Sequence, residues 1–294
     1  MSETPIKSQI NINQENSKIN SNLAIPFITY NESNKKFIIN KEAKKIISNP
    51  ENTKIGIISL VGKYRTGKSF LLNKVIINNN ESITSGFEVG PTIKPCTKGI
   101  WLWSKPLIIN SDSKEDNFPV YLIDTEGLGA YDEEINHDSK IFLIAILISS
   151  LFIYNSIGTI DENALSNLSF ILNLSKSLKF KNEQNINNIN NTNINEDSEL
   201  AKYFPILFWV LRDFSLKLED EEGNPINSNQ YLENSLTEQE GTSDIIIEKN
   251  LIRKKIKNYF IERYCFPLVR PVEEEKDLQN LMNLPDNKIR SEFL

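Results

Sequence analysis

The run Gly62-Lys63-Tyr64-Arg65-Thr66-Gly67-Lys68-Ser69 has the spacing G-x-x-x-x-G-K-[ST], the phosphate-binding loop of nucleoside triphosphatases. The two glycines let the backbone turn tightly around phosphate oxygens. Lys68 supplies a point charge for β- and γ-phosphates, and the Ser69 hydroxyl suits Mg²⁺. The β-branched run Ile55 to Val61 leads in, and Phe70 to Lys74 can continue as a helix. The loop then lies between a buried strand and a helix N-terminus, where free backbone N–H groups and the helix dipole favour an anion. A chance glycine turn with an exposed lysine would not require that context.

A second acidic element follows. Asp124-Thr125-Glu126-Gly127 closes the apolar run Val120 to Ile123. An Asp at a strand end would hold Mg²⁺ through water, and the Gly127 amide would contact the γ-phosphate and sense its loss. The bland alternative is an Asp capping a turn. Glu126 is the acid of this stretch able to assist an attacking water, against a solvated carboxylate as the alternative. Between the motifs, the Gly- and Pro-marked segment Gly90 to Gly99 reads as a loop. There Thr97 is the better hydroxyl to complete the Mg²⁺ shell, with Thr92 competing. Arg65 can swing over the phosphates as an arginine finger supplied in cis, or pair with a neighbouring acid. Asp213, at the mouth of the strand Ile206 to Leu211, can accept from guanine N1–H and N2–H₂; adenine has no such donor pair. The usual guanine motif [NT]-K-x-D is absent.

Elements with the right periods surround these residues. Short apolar strands alternate with helical patterns, which predicts a mainly parallel α/β sheet covered on both faces. Ala24 to Tyr30 and Phe37 to Ile39 read as edge strands, Lys41 to Ser48 as a short amphipathic helix, and Asp161 to Leu178 as a helix capped by Asp161. Ile141 to Ile153 reads as a helix end running into a buried strand, too short to span a bilayer. Residues 1–23 read as a disordered leader and 182–197, half asparagine, as an inserted surface loop. His137 is expected in an exposed loop near Asp124.

The chain has 294 residues, 39% hydrophobic and 24% charged, enough for one large α/β domain or two small ones. Its net charge of −6 argues against a general nucleic-acid or anionic-membrane binder. Cys96 and Cys265 stand far apart and read as free thiols of a reducing compartment, a single bridge being the alternative. With no secretory leader and no membrane-length apolar run, the expected location is cytoplasmic.

Taken together, the motifs resemble the GTPase domain of the guanylate-binding protein family, within the dynamin superfamily and related to the atlastins. The resemblance rests on Gly62 to Ser69, Thr97-Lys98-Gly99-Ile100-Trp101-Leu102-Trp103, Asp124-Thr125-Glu126-Gly127-Leu128-Gly129, Tyr154-Asn155-Ser156-Ile157-Gly158-Thr159-Ile160 and Leu211-Arg212-Asp213-Phe214-Ser215-Leu216, in family order. It covers residues 24–294 and implies an extended Ras-like P-loop fold. It implies a Mg²⁺-dependent GTPase that yields GDP, and in some members GMP, with a GTP-dependent homodimer formed through the nucleotide faces. The alternative is a GTP-binding switch or scaffold with little turnover. Tyr64, Arg65, Thr66, Gly67, Lys68, Ser69, Phe70, Gly127, Arg212 and Asp213 would contact the nucleotide. Ser69, Thr97 and Asp124 would serve the metal, and Arg65, Lys68, Thr97 and Glu126 the chemistry. Residues 241–265 would supply a guanine cap. Two departures stand out. Pro95, with neither hydroxyl nor N–H, replaces a serine common two residues before the metal-binding threonine. The chain also ends where relatives usually continue into a helical domain, so that domain is expected to be absent.

Overall fold

The computed structural model describes residues 24–31, 33–76, 86–89, 99–109, 117–127, 135–175 and 201–294. The leader 1–23, the Asn-rich stretch 182–197, and Thr92, Pro95, Cys96 and Thr97 lie outside these residues. Nine described strands form one sheet: β1 (Ala24–Asn31), β2 (Lys36–Ile39), β3 (Gly56–Gly62), β4 (Ile100–Trp103), β5 (Leu107–Ile109), β6 (Phe118–Thr125), β7 (Leu151–Ile157), β8 (Ile206–Arg212) and β9 (Arg263–Pro267). Their order is β2-β1-β4-β6-β3-β7-β8-β9, with β5 pairing β6 beside β4. From β6 through β9 every pairing is parallel. These strands are nearly continuous apolar runs, as expected where both faces are covered. The near edge, β2, β1, β4 and β5, is antiparallel. Of these, β1 and β2 are joined by a short turn, which parallel neighbours cannot use.

Helices start where short polar side chains replace the missing backbone acceptors. Asn40 Oδ1 accepts from Glu42 N at 2.8 Å at the head of α1 (Lys41–Ile47). Asp161 Oδ1 accepts from Ala164 N at 2.7 Å at the head of α4 (Glu162–Ser175), as expected from sequence. Asn227 and Gln230 form a reciprocal capping box on α5 (Ser228–Ser235), and Ser243 caps α6 (Asp244–Tyr259). Between them in sequence are α2 (Lys68–Leu71), which passes into a π-helical turn over Leu72–Ile76, and α3 (Ile135–Ile148). His137 belongs to α3, not to a loop: the helix begins at Ile135, ahead of the apolar run from Ile141.

The alternation along β3 divides the core. Val61 faces Phe142, Phe152, Trp209 and Ile256, under α3, α4 and α6. Leu60 faces Phe70, Leu72, Leu268 and Phe293, under α2 and the C-terminal segment. The helices therefore lie on both faces. Cys265, the free thiol among the described residues, is buried in β9, and burial pushes it up to about 12.

Helices α4 and α6 are joined by Arg253, whose Nη2 donates to Glu162 Oε1 at 2.5 Å. The hydrogen bond from Arg253 holds the Glu162 carboxyl below its ordinary 4.5. The pair therefore stabilises the fold fully above that value, and the contribution is lost as pH falls through the lower folded value. With Glu162 a third exposed, the charge is worth no more than about 1 kcal/mol. Glu162→Gln should lower the urea midpoint slightly at pH 7 and by less near pH 3. An equal deficit at both values would remove the charge from the account.

Candidate functional site

The C-terminal ends of β3, β6, β7 and β8 meet at one edge of the parallel sheet, where α/β folds bind ligands. At this edge β3 turns into the phosphate loop. The loop packs too closely for side chains: a Cβ on Gly62 would lie 2.1 Å from Asn155 O. Gly67 (φ 73°) needs the left-handed region, and Arg65 occupies it (φ 62°) despite its side chain.

Lys68 is buried at the base of the loop, its Nζ donating to Lys63 O at 3.2 Å. Loss of hydration lowers its pKa, while the carboxylates of Asp124 and Glu126 oppose that shift. Ser69 Oγ donates to Asp124 Oδ2 at 2.5 Å, across the gap between loop and β6. A hydroxyl beside a buried carboxylate is a hard-oxygen set, and it fits Mg²⁺. The Asp124 side chain is further braced by Thr125 N, 3.0 Å from Oδ1.

Glu126 is buried, and its Oε2 accepts from Gly99 N at 2.8 Å while its own N–H donates to Gly99 O at 2.8 Å. The carboxylate thus ties the start of β4 to the end of β6. Gly127 lies directly against the loop: a Cβ there would come within 2.2 Å of Tyr64 Cα. Tyr64 and Arg65 are exposed at the crest, and Arg65 has no ion pair among the described residues. Phe70 turns into the core, its ring 5.8 Å from that of Phe293, so its side chain faces away from any ligand.

Arg212 and Asp213 diverge. Arg212 is buried behind the loop, with Nη1 donating to Thr66 O (3.1 Å) and Gly67 O (3.2 Å) and its guanidinium 4.9 Å from the Phe293 ring centroid. Desolvation lowers its pKa, partly offset by Asp213. Asp213 is exposed in the left-handed region (φ 58°), where the chain turns out of β8. Residues 241–265 form α6 and β9, and α6 buries its inner face on α4 through Ile256 and Arg253. The chain beside Arg212 and Phe214 comes from further on: Phe293 under the guanidinium, and Leu268, whose carbonyl accepts from Phe214 N at 2.9 Å.

Asn155 was not singled out as a site residue from sequence. It ends up fully buried beneath the loop, bonded to Thr66. The legible signal was its place at the end of an apolar strand run.

A phosphate loop closing the central strand of a parallel sheet, with an Asp at the end of the adjacent strand, defines the P-loop nucleoside triphosphatase class in its Ras-like form. Within it, residues 34–294 match the family described as guanylate-binding protein, N-terminal domain. Guanylate-binding protein 1 of Chlorocebus aethiops is 38% identical over 271 residues, 92% of this chain and 43% of that protein. Human guanylate-binding protein 3 is 37% identical over 271 residues, covering 92% and 42%. Human guanylate-binding protein 2 is 35% identical over 274 residues, covering 93% and 43%. The chain belongs to the guanylate-binding protein family, and it spans less than half the length of these relatives. Among the described residues no helix is long and apolar enough to cross a membrane.

The contact between Gly127 and Tyr64 makes a sharp test. Gly127→Ala should push the loop crest aside and weaken binding of a fluorescent GTP analogue at least tenfold, while the urea midpoint moves little. Unchanged affinity would mean that this contact does not shape the site.

Proposed function

We propose that the chain binds GTP with Mg²⁺, hydrolyses it to GDP, and dimerises through its nucleotide face when GTP is bound. The observation that carries the reading is the buried Lys68 beside the Ser69–Asp124 pair, at the end of β3 in a domain of this family. In this reading the loop N–H groups and Lys68 hold the β- and γ-phosphates. Ser69 and Asp124, with Thr97, hold the metal, which when bound offsets negative charge between those phosphates. Exposed Arg65 moves over the transferred group as the cis finger, oriented by the dimer partner. Gly127 N–H reads the γ-phosphate. Asp213, turned outward at the end of β8, accepts from the guanine edge. Arg212 supports that turn from behind the loop. The same site is the candidate for a second cleavage of GDP to GMP.

One observation favours the alternative of a switch with little turnover. Glu126 Oε2 is engaged with Gly99 N, which gives the carboxylate a bracing role between β4 and β6. Pro95 adds to this by removing a hydroxyl and an N–H from the neighbouring loop.

Turnover of GTP by the purified chain, followed at several protein concentrations with products separated, decides between them. Specific activity should rise with concentration, vanish in Lys68→Ala and fall about 1000-fold or more in Arg65→Ala, the scale of arginine-finger losses. Tight GTP binding without cleavage would leave the switch. Asp213→Asn should weaken GTP in competition with ATP by at least tenfold, since the carboxylate's pairing with two guanine donors is lost. Unaltered preference in that competition would move guanine recognition elsewhere.

A further inference from the structure

Thr66 is held more firmly than any phosphate contact requires. The two protons of the Asn155 amide both go to it: Nδ2 donates to Thr66 O at 3.1 Å and to Thr66 Oγ1 at 2.6 Å. The hydroxyl proton of Thr66 goes on to Lys63 O at 2.8 Å, and Arg212 Nη1 adds a second donor to Thr66 O. This pattern fixes the orientation of the amide, because both atoms facing Nδ2 are acceptors. It also leaves Asn155 Oδ1 and Arg212 Nε buried without a hydrogen-bond partner among the described residues. Buried unpaired polar atoms carry a penalty of their own, so an apolar residue at either position would make a quieter core. The asparagine is explained by what it does to Thr66.

What it does is fix the neighbour. Arg65, one residue earlier, has φ 62°, a backbone conformation that strains a non-glycine residue and persists only when its surroundings over-determine it. Asn155 sits within β7, opposite Gly62 in the parallel register, so a rigid strand supplies the anchor. We infer that Asn155 is a positioning residue for the phosphate loop: its amide clamps Thr66 and thereby holds Arg65 in the left-handed conformation from which its guanidinium serves the phosphates. The inference rests on the GTPase reading for its kinetic consequence and on the loop geometry alone for its structural one.

Both consequences are measurable on the full chain. In kinetics, Asn155→Ala should lower kcat about 10- to 100-fold, the scale of a small misplacement of a catalytic group. Asn155→Asp, which offers carboxylate oxygens to two acceptors, should lower it further. The decisive comparison is the double mutant with Arg65→Ala. If the clamp acts through Arg65, Asn155→Ala adds less than about threefold to the loss already caused by Arg65→Ala, because coupled residues are not additive. Losses that multiply in full would overturn the proposal. Backbone ¹⁵N relaxation of the nucleotide-free chain gives the second readout. Arg65 to Gly67 should drop from order parameters near 0.85 to below about 0.6 in Asn155→Ala, with β3 and β7 unchanged. Unaltered order at the crest, or loosening spread across the sheet, would reduce Asn155 to a packing residue. If the unmodified chain turns over no GTP, the enzyme reading fails and the relaxation data still judge the clamp.

Discussion

A lysine ammonium taken out of water is the constraint on which this edge of the molecule depends. Lys68 is 7% exposed, and its hydration must be replaced by oriented oxygens. The loop carbonyl of Lys63 provides one, and the carboxylates of Asp124 and Glu126 provide the field. Each comes from a different stretch of chain, and only the parallel pairing of β3 with β6 brings the stretches together. Two carboxylates so close to one another need that cation in turn. The cation, the strand order and the acidic segment are one arrangement, and a polyphosphate with its metal is the ligand whose charges match it.

Much of this was legible because it is written in local patterns. The loop, the strand leading into it, the Asp at the next strand's end and the Asp161 cap each follow from spacing within a dozen residues. The family assignment from those motifs holds over 34–294. What could not be read were relations between distant segments. The antiparallel half of the sheet depends on which edge β4 joins, and hydrophobic alternation carries no such information. Arg212 and Asp213 are adjacent in sequence, but a left-handed residue at 213 sends one side chain inward and the other out. Nothing in the pair of letters encodes that divergence. His137 was misplaced because a polar residue ahead of an apolar run looks the same whether it precedes a helix or opens it. The 241–265 region was assigned by resemblance rather than by period, and one of its contacts with the rest of the fold, Arg253 to Glu162, joins residues far apart in sequence.

Asn155 was overlooked for the opposite reason. An asparagine late in an apolar run reads as the end of the strand, whereas β7 continues through Ser156 and Ile157; the chemistry comes from what stands beside it. In the register β3–β7 the residue opposite is Gly62, whose missing side chain lets the β7 backbone approach and puts the amide within reach of the loop. The glycine of the motif thus serves the neighbouring strand as well as the phosphate.

The loop is also braced from the far end of the chain. Phe293 packs on Phe70 below the loop and on Arg212 behind it, while Lys74 in the π-helical turn reaches Asp286 at 2.9 Å. Such turns interrupt a regular helix and are enriched at functional sites, since they re-aim side chains by one position. Here the turn directs Lys74 toward a segment more than two hundred residues away in sequence. A loop clamped on one side by Asn155 and Arg212, and underpinned on the other by Phe293, has little freedom left to lose when a ligand arrives. Preorganisation of this kind favours binding by reducing the ordering cost. Glu126 extends the same rigid edge to β4, its carboxylate and its backbone N–H both bonded to Gly99.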